Sequence, residues 1–279
     1  MKIGIIGLGL MGGSLALALK KKYKDEKKVE VLGVDHNDQH CLEALELKIA
    51  DKIVDDIKEL HNVDLIVLTV PVNAIIALMP ELIGVSKDTT IIDFGSTKAK
   101  IVEAIPPQIR KNFVAAHPMA GTEKFGPSAA YRKLYRGKVV VLCNTEDNDP
   151  KHLKVAKTIF RDIGMKIMYM DAKEHDRHAA FISHMPHAVS FSLANAVMNQ
   201  QNPKDIIAMA GGGFKDMSRI AKSSPNMWLD VFKQNKENLL DAIECFNSEL
   251  KRVKQDIENE DWDSVKNWIL SANKLHNIL

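Results

Sequence analysis

The 279-residue sequence has few cysteines, little excess charge and no long apolar run. Its three cysteines, Cys41, Cys143 and Cys245, are far apart and show no C-x-x-C spacing, which argues against a disulfide framework or a thiolate zinc site. Lys and Arg number 38 against 36 Asp and Glu, so no basic excess points to nucleic acid. No uninterrupted apolar stretch reaches the ~20 residues of a transmembrane helix. We therefore expect a cytoplasmic protein with neither a membrane nor a nucleic-acid partner.

Glycine is scarce in the last part of the chain, where only the cluster Gly211–Gly213 follows Gly164. Before Asp171, β-branched runs alternate with helical patterns, and this alternation predicts a parallel sheet covered on both faces. After it, apolar residues recur at three and four positions, which predicts helices. We predict an α/β fold in which a Rossmann-type, doubly wound, mostly parallel sheet (residues 1–170) precedes an all-helical domain (residues 171–279).

The patterns also place the individual elements. The predicted strands are Lys2–Ile6, Val29–Val34, Leu65–Val70, Thr89–Asp93, Phe113–Ala116, Lys138–Leu142 and Met165–Met170. Helical period is found in Gly13–Lys22, Asn37–Leu47, Asn73–Ile83, Lys98–Ile105, Pro150–Ile163, Trp228–Val253 and Trp262–Ile278.

The most informative local motif is the run Gly7-Leu8-Gly9-Leu10-Met11-Gly12, which follows the first predicted strand and opens a helix. This context is typical of the dinucleotide fingerprint. The first glycine permits a tight turn, the second lets pyrophosphate approach the backbone, and the third allows close helix–strand packing. Free N–H groups at the helix start attract the phosphates. All six residues are predicted to bind the cofactor.

An acidic residue, Asp35, ends the second predicted strand about 20 residues after the glycine run, as the fingerprint requires. Its carboxylate can accept hydrogen bonds from a ribose 2′-OH and would repel a 2′-phosphate, so NAD is expected rather than NADP. We also assign Val70 and Pro71, at the end of a neighbouring strand, to the cofactor site. The alternative is a glycine-rich turn without a ligand.

Two polar clusters follow later strands, where open α/β sheets bind ligands. In Asp93–Lys98 (DFGSTK), Ser96 is predicted to cap the next helix, to orient a neighbouring side chain, or both. In HPMAGTE, His117 follows a strand close to the expected nicotinamide. There it can take a hydroxyl proton while hydride leaves the same carbon, so we predict a general base rather than a structural histidine.

The helical part contributes cations and histidines. Lys215 and Arg219 follow the late glycine cluster and share one helix face, where they form a candidate carboxylate clamp or an exposed basic face. His175, His178, His184 and His187 suggest a metal site. However, a proline at position 186 disturbs the helical phase and no carboxylate pattern matches a metal motif, so we predict no metal.

Taken together, the motifs resemble the prephenate dehydrogenase family of tyrosine biosynthesis. The resemblance covers almost the whole chain and rests on GLGLMGGSLA, DFGSTK, HPMAGTE, SHMPH and GGGFKDMSRIA…PNMWLD, in that order. The first motif is shared by many dehydrogenases, but the other four together are specific. The resemblance implies a Rossmann domain followed by a helical dimerisation domain, a homodimer, and an active site between the two domains. From where the chain begins and stops, we expect neither a fused chorismate mutase domain nor a regulatory domain.

The resemblance also implies a reaction, the NAD+-dependent oxidative decarboxylation of prephenate to 4-hydroxyphenylpyruvate. By similarity, His117 is the catalytic base and Ser96 orients it, while Arg219 holds a substrate carboxylate and Lys215 adds positive charge nearby. The further implied substrate-site residues are His187, Thr122, Glu123 and Trp228, the last near the side of the site shared in the dimer.

Three alternatives to this function exist. A β-hydroxyacid dehydrogenase would explain the glycine run and the helices, but not HPMAGTE or GGGFKDMSR. A non-catalytic NAD-binding sensor would leave the joint presence of His117, Ser96 and Arg219 unexplained. Arogenate, which carries an amine in place of the side-chain keto group, is the alternative substrate. Prephenate is favoured because Lys215 and His187 are donors rather than carboxylates.

Overall fold

The computed structural model describes residues 1–26 and 28–278; Lys27 and Leu279, which fall within the predicted domains, lie outside the described residues. One sheet contains eight strands, which are β1 (Lys2–Ile6), β2 (Glu30–Val34), β3 (Lys52–Ile53), β4 (Leu65–Leu68), β5 (Thr90–Asp93), β6 (Phe113–Pro118), β7 (Val139–Cys143) and β8 (Lys166–Met170). Their order is β3-β2-β1-β4-β5-β6-β7-β8, and only β6 and β7 pair antiparallel. The predicted doubly wound, mostly parallel sheet is confirmed.

Helices cover the sheet and, with the connections between them, form the region after β8. Those of the sheet region are α1 (Leu10–Lys22), α2 (Asp38–Glu46), α3 (Val72–Leu78), α4 (Ala99–Ala104) and α5 (Pro150–Asp162). Those that follow are α6 (Ala172–Ala179), α7 (Met185–Met198), α8 (Pro203–Ala208), α9 (Gly212–Ser218), α10 (Pro225–Gln234), α11 (Lys236–Glu258) and α12 (Trp262–Asn273). Over residues 171–278 the structure has helices and connections but no strand, so the predicted helical region is confirmed. None of the helices in the described ranges is long and apolar enough to cross a membrane.

Strand β4 shows why the sheet needs helices on both faces. Leu65 and Val67 are buried in one hydrophobic core, and Ile66 and Leu68 are buried in another. Successive strand residues point to opposite faces, so a strand that is apolar at every position must be covered on both. The continuous apolar runs of the sequence therefore predict the doubly wound architecture.

Two local predictions need correction. The edge strand β3 was not predicted, because a two-residue strand is too short to show a period. The predicted continuous helical segment Trp228–Val253 is broken at Asn235, which has the non-helical dihedrals φ −116° and ψ 35°. Asn235 is buried, and its side chain bonds groups of another helix, so tertiary contacts override the helical period.

A π-helical segment, Ala180–His184, joins α6 to α7. Pro186 follows directly, in the first turn of α7. Proline removes one helical hydrogen bond and crowds the preceding turn, and a wider π turn is one known way to relieve this. The segment also rotates α7 relative to α6, so the histidines on the two helices do not share one regular helical face.

The side chains of Asp93 and Lys98 form a fully buried ion pair beneath the carboxyl end of the sheet. The Lys98 ammonium also donates to Ala116 O at 2.8 Å, and Asp93 accepts from the N–H groups of Gly95 (2.9 Å) and Ala116 (3.2 Å). Buried charges are tolerated only when paired and hydrogen-bonded. The pair therefore locks β5, β6 and the start of α4 together.

We expect Lys98→Met to lower the free energy of unfolding by about 3–5 kcal/mol, because Asp93 would remain buried without its counter-charge. Urea unfolding followed by circular dichroism measures the change. The matched control is Lys151→Met, which removes an exposed lysine paired with Asp88 and should change stability little. Equal effects of the two substitutions would contradict the assigned role of Lys98.

Candidate active site

The glycine run forms a tight turn between β1 and α1. Gly7 has φ +99°, and a Cβ at Gly12 would lie 2.1 Å from Gly7 O, so both positions require glycine. A Cβ at Gly9 would instead meet open space, with Gly126 N its nearest neighbour at 3.9 Å. The turn thus leaves room for a ligand at the positive end of the α1 dipole, which is a cradle for phosphate.

Asp35 lies at the rim of this cradle. Its carboxylate accepts from the N–H of Leu8 at 2.8 Å and of Asn37 at 3.0 Å, and its side chain is only 6% exposed. Nδ1 atoms of His36 and His40 lie 3.4 Å and 3.5 Å from the carboxylate oxygens. The glycine turn and the predicted ribose acceptor therefore form one rigid unit.

The predicted cofactor residues Val70 and Pro71 follow β4, which neighbours β1 where the strand order reverses. Thr69, just before them, donates its hydroxyl to Gly7 O at 2.6 Å and so ties this connection to the glycine turn. Open α/β sheets bind dinucleotides in the crevice at such a switch point. The residues present fit NAD. They form an open phosphate cradle, place an acidic group at its rim and position the connection after β4 beside it.

His117 lies within β6 rather than after it, because the strand continues to Pro118. Its Nδ1 is 2.8 Å from Nε2 of His175 on α6, and the two rings meet edge to face. Burial lowers the pKa of His117 well below the usual 6.5, and the neighbouring cation of Lys98 lowers it further. His117 is therefore a neutral base at pH 7 that is only partly buried and accessible to a reactant.

The second nitrogen of His175 contacts a carboxylate: Nδ1 lies 2.8 Å from Asp176 Oδ1. The same carboxylate accepts from the N–H groups of Lys98 (2.7 Å) and Ala99 (2.9 Å) and so caps α4 from the helical region. The predicted cap, Ser96, is not the N-cap, because α4 begins three residues later. Among the described residues, Ser96 makes no hydrogen bond to His117 or to any other group.

Asn235, at the break between α10 and α11, extends this network. Its amide N–H₂ donates to Asp176 O at 2.7 Å and contacts His184 Nδ1 at 3.1 Å, while its oxygen accepts from Asn238 at 2.7 Å. The oxygen contact fixes the orientation of the amide, so His184 Nδ1 is an acceptor and carries no hydrogen. Burial lowers the pKa of His184 to about 4, which keeps its ring neutral.

His187 and Trp228 form a second, adjacent part of the site. Their rings stack with centroids 3.6 Å apart, and His187 Nδ1 is held by Ser183 O at 2.9 Å. The pKa of His187 is lowered by burial and by the nearby charge of Arg219. Trp228 is buried, and its indole N–H has no partner in the part of the chain that the structure describes. The indole N–H is thus a buried donor without a partner in the described ranges.

Arg219 faces Glu123 at 3.5 Å across the two parts of the chain. It is exposed, as is Lys215, whose ammonium has no hydrogen-bond or ion-pair partner among the described residues. Thr122 is also exposed and accepts from the N–H of Lys124 at 3.2 Å. In place of the predicted Lys215–Arg219 clamp, the structure therefore has an ion pair of Arg219 and Glu123.

The sequence motifs did not identify the partners that hold His117. From the sequence, His175 is only a metal candidate, and no motif assigns a role to Asp176, Lys98 or Asn235. The sequence does contain a signal for Asp176, a carboxylate next to a histidine near a helix start. It also contains a signal for Lys98, which follows the strand-end residue Asp93 by five positions. Neither signal indicates which distant residue the group contacts.

Two family models match the chain. "Prephenate dehydrogenase, nucleotide-binding domain" matches residues 15–169, and "Prephenate dehydrogenase, dimerization domain" matches residues 171–271. The chain belongs to the prephenate dehydrogenase family. Prephenate dehydrogenase of Bacillus subtilis is 32% identical over 96% of this chain and 73% of its own length.

Two further relatives bear on the ligands. Cyclohexadienyl dehydrogenase of Zymomonas mobilis is 31% identical over 94% of this chain and 90% of its own. The structure of A. aeolicus prephenate dehydrogenase in complex with hydroxyphenyl propionate and NAD+ superimposes with a TM-score of 0.91 at 36% identity. That comparison covers 100% of this chain and 98% of the A. aeolicus chain. The similarity thus extends over both the sheet and the helical region.

We expect Asp35→Ala to weaken NAD+ binding roughly tenfold or more, the loss typical of a hydrogen bond to a charged group. NADP+ should be affected less, because the repulsion of its 2′-phosphate is removed with the carboxylate. Fluorescence titration with both nucleotides measures the two dissociation constants. Asp38→Ala removes an exposed carboxylate of α2 that makes no side-chain hydrogen bond in the described ranges, and it serves as the control. An unchanged ratio of the two constants would remove Asp35 from the ribose site.

Proposed function

We propose that the protein catalyses the NAD+-dependent oxidative decarboxylation of prephenate to 4-hydroxyphenylpyruvate. The observation that carries the proposal is a neutral, hydrogen-bonded His117 at the carboxyl-end edge of a dinucleotide-binding sheet, next to a helical region with donors for an anionic substrate. Family membership supports the reaction. The nucleotide-binding family model and the NAD+-bound relative confirm the prediction of NAD as cofactor.

The chemistry divides between the cofactor and the protein. NAD+, when bound, accepts the hydride from the ring carbinol carbon. His117 takes the hydroxyl proton on Nε2, which raises the electron density on that carbon and helps the hydride to leave. The bond to the ring carboxylate then breaks, its electron pair enters the ring, and carbon dioxide leaves. The product ring is aromatic, which makes the last step strongly favourable.

Arg219 is the proposed partner of a substrate carboxylate, because a guanidinium can bind a carboxylate with two hydrogen bonds. At 3.5 Å from Glu123 it is only loosely engaged and can exchange that partner for the substrate. His187 and Trp228, whose rings stack, are proposed to line the substrate site on the same side. Lys215 adds positive charge from α9, and Thr122 stands at the entrance. Ser96 remains a proposed catalytic residue.

Prephenate is favoured over arogenate by the charges around Arg219. Arogenate brings an amine, which needs a carboxylate or another acceptor beside it. Lys215 is a cation, and His187 presents a stacked ring rather than a negative charge. A dual-substrate enzyme is the second candidate, because the Zymomonas mobilis relative is a cyclohexadienyl dehydrogenase.

A homodimer through the helical region is part of the proposal. Large apolar side chains of this region are exposed in the single chain, among them Met209 at 88%, Ile182 at 67% and Trp262 at 60%. Such surfaces mark interfaces, and the matching family model describes a dimerization domain. A cytoplasmic location is supported by Cys41, Cys143 and Cys245, which are all unpaired.

Purified protein should reduce NAD+ when prephenate is added, and His117→Asn should lower kcat by about 10²-fold or more, the loss expected for a general base. The rate is followed as NADH absorbance, with arogenate and NADP+ run side by side. Because the pKa of His117 is lowered, kcat/KM should stay level as the pH falls through 6.5 and decline only when His117 becomes protonated. No turnover with either prephenate or arogenate would contradict the proposed function.

Arg219→Ala should chiefly raise the KM for prephenate, by roughly tenfold or more, since a charge-assisted hydrogen bond is lost. Steady-state kinetics at saturating NAD+ measures the change. Lys222→Ala removes an exposed cation three residues further on and is the control. An unchanged KM in the arginine variant would make Arg219 a surface residue.

A further inference from the structure

His117 is held by two residues that neither the family models nor the named relatives assign to the reaction. His175 and Asp176, both 3% exposed, are neighbours on α6 and belong to the helical region. The contacts form a line from His117 Nδ1 to His175 Nε2 and from His175 Nδ1 to Asp176 Oδ1, each 2.8 Å long. We propose that the pair Asp176–His175 fixes the tautomer of His117 so that its Nε2 is free to accept the substrate proton.

The direction of each hydrogen bond follows from the carboxylate. An ionised carboxylate only accepts, so His175 must carry its hydrogen on Nδ1. A neutral His175 then has a bare Nε2, which accepts from Nδ1–H of His117. His117 in turn is bare on Nε2, the nitrogen that remains for the substrate hydroxyl. If His175 were doubly protonated, the central bond would reverse and His117 would carry its hydrogen on the wrong nitrogen.

The surrounding charges hold this arrangement in place. Asp176 is anchored by the N–H groups of Lys98 and Ala99, so its carboxylate cannot turn away from His175. The ammonium of Lys98, which also faces His117, is neutralised by Asp93. His184, the remaining ring near His175, contacts the donating amide of Asn235 through Nδ1 and stays neutral.

The pair also acts after proton transfer. Once His117 has taken the proton, its Nδ1–H donates to His175. The ring of His175 then lies between the positive charge on His117 and the carboxylate of Asp176. No proton needs to leave Asp176. An aspartate performs the same two tasks, orientation and charge balance, for the histidine of serine proteases, and replacing it there by asparagine lowers kcat by about 10⁴-fold. His175 and Asp176 are thus positioning residues.

The inference rests on the proposed role of His117, and its main test uses variants of His175, because replacing Asp176 would also uncap α4. His175→Phe removes the acceptor and should lower kcat about 10²-fold with little change in the KM values for prephenate and NAD+. The acid limb of kcat should move to lower pH, since protonated His117 loses its acceptor. His175→Gln keeps an acceptor oxygen and should recover about tenfold of the lost rate. His178→Phe, on the same helix but bonded to Arg177, is the control and should leave both quantities unchanged.

A second measurement does not depend on turnover. In the ¹⁵N-histidine NMR spectrum of the wild-type protein, His117 should carry hydrogen on Nδ1 only, and His175→Phe should populate the other tautomer of His117. A wild-type His117 protonated on Nε2 would overturn the proposal, as would a His175→Phe enzyme with unchanged kcat and acid limb. If the phenylalanine variant does not fold, the glutamine variant and the wild-type spectrum decide. Absence of prephenate turnover would refute the proposed function but leave the tautomer result standing.

Discussion

The carboxylate of Asp176 joins the sheet region to the helical region through buried hydrogen bonds. It accepts hydrogen bonds from two backbone N–H groups at the start of α4, in the sheet region, and from His175 in its own helix. Its backbone oxygen accepts from Asn235, at the start of α11. A buried carboxylate is tolerated only when its oxygens are satisfied, so none of these partners can move independently. The relative position of sheet and helices is thereby tied to one charged group.

Lys98 carries this constraint into the sheet. Its N–H bonds Asp176, and its ammonium bonds Asp93 and the carbonyl of Ala116, the residue before His117. The residue that holds the helical region is therefore also the one that holds the strand carrying the base. Stability and catalysis share these atoms, so a change in this cluster affects both and cannot be assigned to one alone.

Local features of the sequence predict the glycine turn and the buried strand β4, and they assign the cofactor to this turn. The glycine run, Asp35 and the two-sided burial of β4 all follow from short-range rules, because each depends on neighbours in one strand–turn–helix unit. The partners of His117 do not, since His175 lies 58 residues away and the contact depends on how α6 packs. Ser96 also shows that local sequence does not reveal distant contacts. Its position before a helix suggests a cap, yet the cap comes from Asp176 in a distant helix. Asn235 breaks a regular helical period for a tertiary hydrogen bond, which no local pattern records.

The position of the base explains why the helical region is needed for more than substrate binding. Partial burial lowers the pKa of His117 and keeps it neutral, but the same burial penalises the imidazolium that forms when it takes a proton. A negative charge close by reduces that penalty. The carboxylate of Asp93, at the end of β5, is paired with Lys98. Asp176, reached through the ring of His175, is the charge in place to do so. The base is thus assembled from both regions, with its proton acceptor on β6 and its counter-charge on α6.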